Sequence, residues 1–579
     1  MTEMLVVVVL GLAVIAAATV VGPRLGIASP LVLVGIGVGA SFLPVFSSVQ
    51  IEPEWILAGV LPPLLYSSAV SMPAMNFRRE FGAISGLSVV LVVGSALVLG
   101  LFFTLVIPGL GFAHGVALGA IASPTDAVAT SIVKQTSVSK RVVAMLDGES
   151  LLNDATALVL LRTAIATAAT FSFWGTVGSF GYSVVVAAVV GGLVGRLNLV
   201  VRARVTDPAV NTVISFTVPF LAFVPAELCH ASGLVAAVVA GLVTGIRAPR
   251  DLSPQNRMSD DQNWRTVELV LEGAVFLTMG LQIKSIVTSV EADHAGVGTA
   301  VLVAAGALLL TIGVRAAYVG PLLAILALRS RRSQELGLRL QGMQARMATP
   351  EGTKETFQEV RRGRRKASER DLTVFARRVT QGIADVEYFL RQPLGWRDGT
   401  VVVWAGMRGA VTVAAAQSLP EDTPQRSVLV LVAFAVAAMS LVVQGGTIAA
   451  LLRLITPPVD RAALDEQESA ERTRIFELLR ISAESVPGPS GPEVAVEPAG
   501  HDGLDPGVGL EGNVVPEGKL GAEQFELARS HRLAVIAAQR SALLDARDNG
   551  TFDADVLAHV LANLDASQID IEMRGRPSS

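Results

Sequence analysis

The sequence is poor in charge and nearly free of cysteine. Only 17% of its 579 residues are charged, 51% are hydrophobic, and the mean hydropathy is +0.55. That composition is too apolar for an ordinary soluble protein. The single cysteine, Cys229, excludes a disulfide within the chain. A net charge of −4 gives no indication of nucleic-acid binding.

The sequence shows no metal-ligand spacing, and we expect no cleavable leader. The six histidines are scattered without a ligand pattern, and the neighbouring Cys229 and His230 fit a helix end better than a metal site. The first apolar run follows Met1–Met4, which includes an acid and no Lys or Arg, so the basic region of a signal peptide is lacking. We therefore expect the first apolar segment to remain as a membrane helix.

Long apolar segments fill the first 455 residues. A membrane core of about 30 Å is crossed by about 20 apolar residues in a helix. This predicts an all-α polytopic membrane protein with thirteen transmembrane helices, at residues 4–22, 28–45, 53–72, 81–107, 112–133, 142–168, 174–195, 209–228, 230–246, 266–283, 296–327, 399–419 and 427–455.

Basic residues alternate between the loops of this scheme, as the positive-inside rule requires. With the N-terminus outside, only Lys284 and Arg426 fall in outside loops. The inside loops hold Arg24, Arg78, Arg79, Lys134, Lys140, Arg141, Arg196, Arg202, Arg204, Arg247, Arg250, Arg257, Arg265 and the basic stretch after residue 328. The alternation predicts a multi-pass membrane protein with the N-terminus outside and the C-terminus cytoplasmic.

Two segments are predicted to lie outside the membrane. Residues 329–398 hold 16 Lys/Arg against 9 Asp/Glu and read as a helical, partly flexible cytoplasmic insertion. This insertion, or the tail, could bind anionic lipid or a regulator; the alternative for the insertion is a solvated loop that only fixes topology. In the cytoplasmic tail, 456–579, we predict an amphipathic helix at 459–482, a linker near 485–518, and helices at 522–547 and 553–565.

Three carboxylates lie within predicted spans, where ionisable groups are expensive and point to function. Asp126 follows Pro124 and Thr125, and Glu149 and Asp154 belong to the next span. Pro124 is predicted to break its helix, which would free backbone oxygens near Thr125 for a cation. The alternative is a harmless proline kink.

The span with two carboxylates has helical spacing. Ser150 and Asp154 share one face, as do Glu149 and Asn153. We expect Asp154 to bind both cation and proton, because competition of the two for one carboxylate is the minimum requirement for exchange. The alternative is a structural aspartate that is satisfied by hydrogen bonds.

Two arginines lie deep in later spans and need partners, because an unpaired buried charge is costly. We predict a structural ion pair between Glu149 and Arg315, with Arg408 close by. Arg408 is flanked by glycines, where a helix can unwind. Spans five and twelve are then a matching pair of interrupted helices in spans 4–6 and 11–13, which indicates inverted repeats with a site at the membrane midplane.

At these residues the chain resembles the cation–proton antiporter superfamily, in its sodium/proton exchanger (NhaP-like) branch. The resemblance covers about residues 1–455, and the tail at 529–565 is similar to the C-terminal segment of bacterial members. Together with the hydropathy, this tail implies location in the cell (cytoplasmic) membrane. The matching segments are Leu61–Tyr66, Ser123–Asp126, Glu149–Ala155, Ser232–Leu234, Gly280–Leu281, Arg315 and Met407–Ala410.

The resemblance implies a homodimer that exchanges Na⁺ (or Li⁺ or K⁺) for H⁺ by an elevator-type movement. Dimerisation helices would lie at roughly 1–72 and 174–283, and a moving six-helix core at 81–168 and 296–455. The two interrupted helices would cross at the midplane.

The resemblance also implies a ligand set and a stoichiometry. The ion site would comprise the Thr125 backbone, Asp126, Ser150 and Asp154, with Asn153 as a supporting polar group. Asn153 stands where the electrogenic branch has a second aspartate, which implies electroneutral, one-for-one exchange.

Some positions depart from the family pattern and leave ion selectivity and regulation open. Ser67 and Ser68 stand where some relatives carry a carboxylate in span three, and Ala127 stands where a proline is usual. The 329–398 connection is longer than expected.

A K⁺/H⁺ antiporter is therefore the serious alternative. A passive cation channel is less favoured because no repeated filter motif is present. An intramembrane protease using Asp126 and Asp154 lacks the Gly-x-Gly-Asp pattern. We expect no enzymatic activity, no cofactor and no metal beyond the transported monovalent cation.

Overall fold

The computed structural model describes residues 2–24, 27–43, 52–134, 136, 138–167, 173–292, 296–347, 349–360, 368–455, 461–488 and 522–574. Within these ranges the regular structure is entirely helical. The chain divides into two compact units, Met1–Val459 and Asp460–Ser579. The second unit covers nearly the same residues as the predicted tail, 456–579; its cytoplasmic location stays a prediction.

Eighteen helices are described in the first unit. They are α1 Thr2–Arg24, α2 Ser29–Ser41, α3 Trp55–Ser71, α4 Ala74–Val106, α5 Phe112–Ala122, α6 Val128–Lys134, α7 Lys140–Thr167, α8 Phe173–Arg202, α9 Pro208–Leu228, α10 Gly233–Asp251, α11 Pro254–Leu281, α12 Ile283–Ala292, α13 Val297–Arg346, α14 Pro350–Val360, α15 Glu369–Arg391, α16 Trp396–Trp404, α17 Val411–Gln417 and α18 Arg426–Ile455. Helices α3, α4 and α18 each include a π-helical turn.

Apolar length separates the membrane-spanning helices from the rest. Eight stretches of the described chain are long and apolar enough to cross a membrane: α1, α4, most of α8, α9, α10, α11 with α12, the first 34 residues of α13, and α18. The apolar helices α2, α3 and α5 are shorter. The predicted spans 209–228 and 230–246 are two separate helices, α9 and α10. The count of thirteen spans stays a prediction.

The helices of the first unit pack in two groups. The flanking group comprises α1–α3 and α8–α11, and the broken-helix group comprises α4–α7, α13 and α16–α18. Glycine allows close approach of helices in the flanking group. A Cβ on Gly37 of α2 would lie only 2.5 Å from the Leu277 carbonyl oxygen of α11. The groups follow the chain segments predicted as dimerisation and core helices; those roles stay predictions.

Two helices are interrupted in the middle of the broken-helix group. Helix α5 ends at Ala122, and α6 begins at Val128 after the Pro124 turn. Helix α16 ends at Trp404, and α17 begins at Val411. The two breaks contact each other, since the Asp126 N–H donates to the Met407 carbonyl oxygen at 2.7 Å. Both interruptions therefore belong to one local structure.

The 329–398 insertion has no helical boundary at its predicted start, because α13 continues to Arg346. The described part is helical and packs on other helices of the first unit. Asp385 of α15 accepts from Arg79 Nε of α4 at 2.7 Å, and the Gln392 carbonyl oxygen accepts from Arg141 Nη1 of α7 at 3.0 Å. The basic run at 361–366 lies outside the described residues.

The second unit is a small bundle of three helices, α19 Arg461–Glu484, α20 Ala522–Asn549 and α21 Ala554–Arg574. Ile475, Leu543 and Leu557 form its buried centre. The Asp553 carboxylate accepts the Asp555 N–H at 2.9 Å and caps α21. Most of the predicted linker near 485–518 lies outside the described residues.

Candidate functional site

A cavity of about 110 Å³ lies where the helix breaks face the flanking group. The broken-helix group contributes Thr125, Asp126, Ser150 and Asp154 to its lining. The flanking group contributes α3 and α11. Four of the five predicted ion-site residues therefore line one cavity, and the fifth, Asn153, bonds to one of them, as described below.

The first break holds Asp126 in a fixed orientation. Its backbone N–H donates to Met407 O in the second break, and its Oδ1 accepts the Val128 N–H at 3.1 Å. That bond places the carboxylate at the start of α6, where the helix dipole favours negative charge. A Cβ on Gly409 would collide with the Asp126 carboxylate, so the glycine keeps this space open.

Asp154 lacks the partners that a purely structural aspartate would have. Its carboxylate lines the cavity, and within the described residues it makes no hydrogen bond or ion pair. The charged group that acts on it is the like-charged carboxylate of Asp126, which lines the same cavity. Ser150, one turn earlier, donates its hydroxyl to the Asp147 carbonyl oxygen at 3.1 Å, which leaves the Oγ lone pairs available to a cation.

Glu149 and Arg315 form a buried, two-pronged ion pair. Arg315 Nη2 donates to Glu149 Oε2 at 2.7 Å, and Nη1 donates to Oε1. Arg315 Nε donates to the Val402 carbonyl oxygen of α16 at 2.8 Å. Both side chains are almost fully buried. The pair connects α7, α13 and α16 and leaves neither charge unpaired.

A short chain of hydrogen bonds joins this ion pair to the first break. Thr125 Oγ1 donates to Glu149 Oε1 at 3.2 Å. Asn153 Nδ2 donates to Thr125 Oγ1 at 2.7 Å and to the Thr125 carbonyl oxygen at 3.1 Å. Asn153 therefore positions Thr125 in the structure, while its own Oδ1 is buried without a hydrogen-bond partner in the described part of the chain.

Arg408 takes a place that the sequence did not indicate. It makes no ion pair within the described ranges. Its guanidinium donates to the carbonyl oxygens of Ala122, Ser123 and Gly406. Carbonyls at a helix C-terminus carry partial negative charge. Arg408 therefore caps the end of α5 instead of pairing with an acid.

Two acids at the cavity were missed by the sequence prediction of the site. Glu268 and Glu272 of α11 line it from the flanking side. Glu268 Oε2 accepts from Ser67 Oγ at 3.2 Å. Their spacing of four residues within the predicted span 266–283 was the available signal.

Paired interrupted helices with carboxylates between them are typical of secondary ion transporters. A family model described as "Sodium/hydrogen exchanger, transmembrane" matches residues 6–345 and 372–454. The chain therefore belongs to the sodium/hydrogen exchanger family. It is a multi-pass membrane transporter for monovalent cation/proton antiport and not an enzyme.

Similar proteins agree with this assignment. An uncharacterized Na⁺/H⁺ exchanger of Mycobacterium tuberculosis is 27% identical over 98% of this chain and 96% of its own length. A sodium, potassium, lithium and rubidium/H⁺ antiporter of Bacillus pumilus is 28% identical over 46% of this chain and 41% of its own. The sodium proton antiporter MjNhaP1 of Methanocaldococcus jannaschii shares the fold, with a TM-score of 0.54 and 15% identity. The match covers 79% of this chain and 100% of MjNhaP1.

Proposed function

We propose that this chain exchanges one Na⁺ for one H⁺ at Asp154 and Asp126, without net movement of charge. Thr125 and Ser150 supply further oxygen ligands. The observation that carries the proposal is the cavity in which both carboxylates face the same space, and in which Asp154 has no partner among the described residues. A cation or a proton can supply the missing partner.

The buried charges of the broken-helix group support a one-for-one ratio. Glu149 is balanced by Arg315. Asp126 and Asp154 are two negative charges, and Arg408 is one positive charge close to the same break. The group therefore has one uncompensated negative charge, which a single monovalent cation or a single proton neutralises.

K⁺ is the second candidate for the cation. A relative from Bacillus pumilus is named as an antiporter of potassium as well as sodium, lithium and rubidium. The oxygen ligands around Asp154 also suit any of these hard cations.

An elevator-type movement of the broken-helix group against the flanking group is supported by the way the two groups share the lining of the cavity. The carboxylates Asp126 and Asp154 lie on one group, while α3 and α11 of the other close the cavity. The hydrogen bond between the two breaks and the Glu149–Arg315 pair would keep the moving group rigid.

The proposed topology has thirteen crossings, with the N-terminus outside and the C-terminus in the cytoplasm. Eight long apolar helices, the three shorter ones, α7, and the interrupted pair α16 and α17 add up to thirteen. We also retain inverted repeats, a homodimer formed through the flanking group, and the cell membrane as the location.

The test uses proteoliposomes with a pH dye in the lumen and pulses of Na⁺, Li⁺ or K⁺ outside. We expect Na⁺ entry to drive proton efflux and to make the lumen more alkaline. Asp154→Asn should abolish this response while folded protein is retained. Asp261→Asn is the matched control, because Asp261 is exposed on α11 outside the cavity.

The endpoint of the same assay measures stoichiometry. A one-for-one exchanger balances a tenfold cation gradient against about one pH unit. An imposed membrane potential should not shift that endpoint. Each elementary charge that crosses the membrane changes the free energy by about 2.3 kcal/mol per 100 mV, but a one-for-one exchange moves no net charge. A response to K⁺ alone would identify K⁺ as the transported cation. Cation-driven proton movement that survives in Asp154→Asn would refute the assignment of the site.

A further inference from the structure

Helix α11 carries two carboxylates one turn apart in an otherwise apolar segment. Glu268 and Glu272 both line the cavity that also contains Asp126 and Asp154. Nothing in the proposed exchange at Asp154 requires them. Acids at membrane depth are costly, so their placement on the cavity wall needs a reason.

The two acids differ in their partners. Glu268 accepts a hydrogen bond from Ser67 of α3 at 3.2 Å. Glu272 has no hydrogen-bond donor and no ion-pair partner in the part of the chain that the structure describes. The charges that act on it are the carboxylates of Asp126 and Glu268. Like charges in a low-dielectric space repel each other strongly.

The cavity does not supply a positive counter-charge. Its lining includes four carboxylates and, among the described residues, no lysine, arginine or histidine. Helix α3, on the same wall, contributes the Ser68 hydroxyl. The charge that balances Glu272 must therefore come from an ion or a proton in the cavity.

We propose that Glu272 is a monovalent-cation ligand that the flanking group contributes to the cavity, and that it binds in one orientation of the transporter only. The proposal rests on the proposed exchange function. Glu272 belongs to α11, which packs with α1, α2, α3 and α9, whereas Asp126 and Asp154 belong to the broken-helix group. A displacement of one group against the other separates Glu272 from the other two carboxylates. The ion then remains with Asp126 and Asp154.

The orientation in which Glu272 binds is the one open to the cytoplasm. Helix α11 enters the membrane from the predicted cytoplasmic side, so Glu268 precedes Glu272 on the way inward. On the same side, Lys134 and Asp147 form an ion pair at 2.9 Å near the cytoplasmic start of α7. A cation that arrives from the cytoplasm would meet Glu268, then Glu272, and then the two aspartates.

The test compares cation affinity from the two faces of the membrane. Everted and right-side-out vesicles containing the full chain are supplied with Na⁺ or Li⁺, and the apparent KM is read from dye-reported proton movement. For Glu272→Gln we expect the cytoplasmic KM to rise roughly tenfold or more, equivalent to about 1.4 kcal/mol. The external KM should stay within about twofold of the wild type, a shift of about 0.4 kcal/mol.

Glu272→Asp and Asp261→Asn complete the set. The aspartate keeps the charge on a shorter side chain, so its cytoplasmic KM should lie between those of the wild type and Glu272→Gln. If the glutamine variant does not accumulate as folded protein, the same one-sided shift in Glu272→Asp decides the question. Asp261→Asn should leave both KM values unchanged, because its carboxylate is exposed outside the cavity.

Each other outcome overturns the proposal in a distinct way. Unchanged KM values on both faces for both Glu272 variants would remove the residue from the ligand set. An equal rise on both faces would make it a ligand in both orientations and refute the one-sided role. Absence of cation-driven proton movement in the wild type would refute the exchange function itself.

Discussion

Removal of the Glu149 charge is expected to destabilise the protein. In Glu149→Gln, the Arg315 guanidinium loses its buried counter-charge while it remains almost fully buried. It keeps its bond to the Val402 carbonyl oxygen, and the glutamine oxygen can accept one more. Thr125 exchanges a charged acceptor for a neutral one. The positive charge is then uncompensated at membrane depth.

The size of the effect follows from the burial of the pair. Breaking a buried ion pair by removal of one partner costs about 3–5 kcal/mol. Because Arg315 keeps two hydrogen bonds in the variant, we expect a destabilisation at the lower end of this range, about 3 kcal/mol. Typical proteins are stable by only about 5–15 kcal/mol, so a loss of this size should be visible as a lower melting temperature.

Thermal unfolding of the purified protein in detergent is the assay. The matched control is Glu359→Gln, which breaks an exposed pair with Arg346 at 3.0 Å and should cost about 0–1 kcal/mol. The double variant Glu149→Gln/Arg315→Met removes both charges and should be more stable than Glu149→Gln alone. An unchanged melting temperature in Glu149→Gln would refute the reasoning from buried charge.

Three further predictions concern the site and the tail. Gly409→Ala should reduce dye-reported exchange roughly tenfold or more (about 1.4 kcal/mol in the barrier), because the added Cβ collides with the Asp126 carboxylate. Asn153→Ala should raise the apparent KM for Na⁺ several-fold while exchange persists, since Thr125 loses two hydrogen bonds. Deletion of residues 459–579 should alter the rate or pH dependence of exchange without abolishing it, because every proposed ligand lies before the deletion.

Each of these predictions has a control or a contrary result. A Cβ on Gly446 of α18 would meet no atom within 4 Å, so Gly446→Ala should exchange at the wild-type rate. Wild-type exchange in Gly409→Ala would mean that Asp126 can move without loss of function. An unchanged KM in Asn153→Ala would remove its positioning role. Complete loss of exchange in correctly inserted protein without 459–579 would make the tail essential.

Local rules were sufficient to predict the interrupted helix at Pro124. A proline with an adjacent carboxylate inside an apolar span identifies the break, and the structure has no helix between Ala122 and Val128. The placement of Glu149 against Arg315 follows from a similarly simple rule, because few buried groups of opposite charge were available. In both cases the chemistry of one or two residues leaves few alternatives.

Contacts between a side chain and the backbone of a segment that is distant in sequence could not be predicted from the sequence. The charge rule suggested an acid for Arg408, but its donors bond to the carbonyls at the end of α5. Those carbonyls carry no sequence signature. Glu272 is a different case. Its position in a predicted span marked it as a candidate, but its place at the cavity depends on the packing of α11, which belongs to the flanking group. The docking of α15 likewise depends on tertiary contacts of Asp385.

The attachment of α15 makes the transport cycle accessible to spectroscopy. Because Asp385 bonds to Arg79 of α4, any shift of the broken-helix group carries α15 with it. The native thiol, Cys229, is exposed at the end of α9 in the flanking group. One cysteine introduced at the exposed Thr373 of α15 would therefore complete a pair of spin labels. A change in their separation under Na⁺ or acid would report the proposed movement directly.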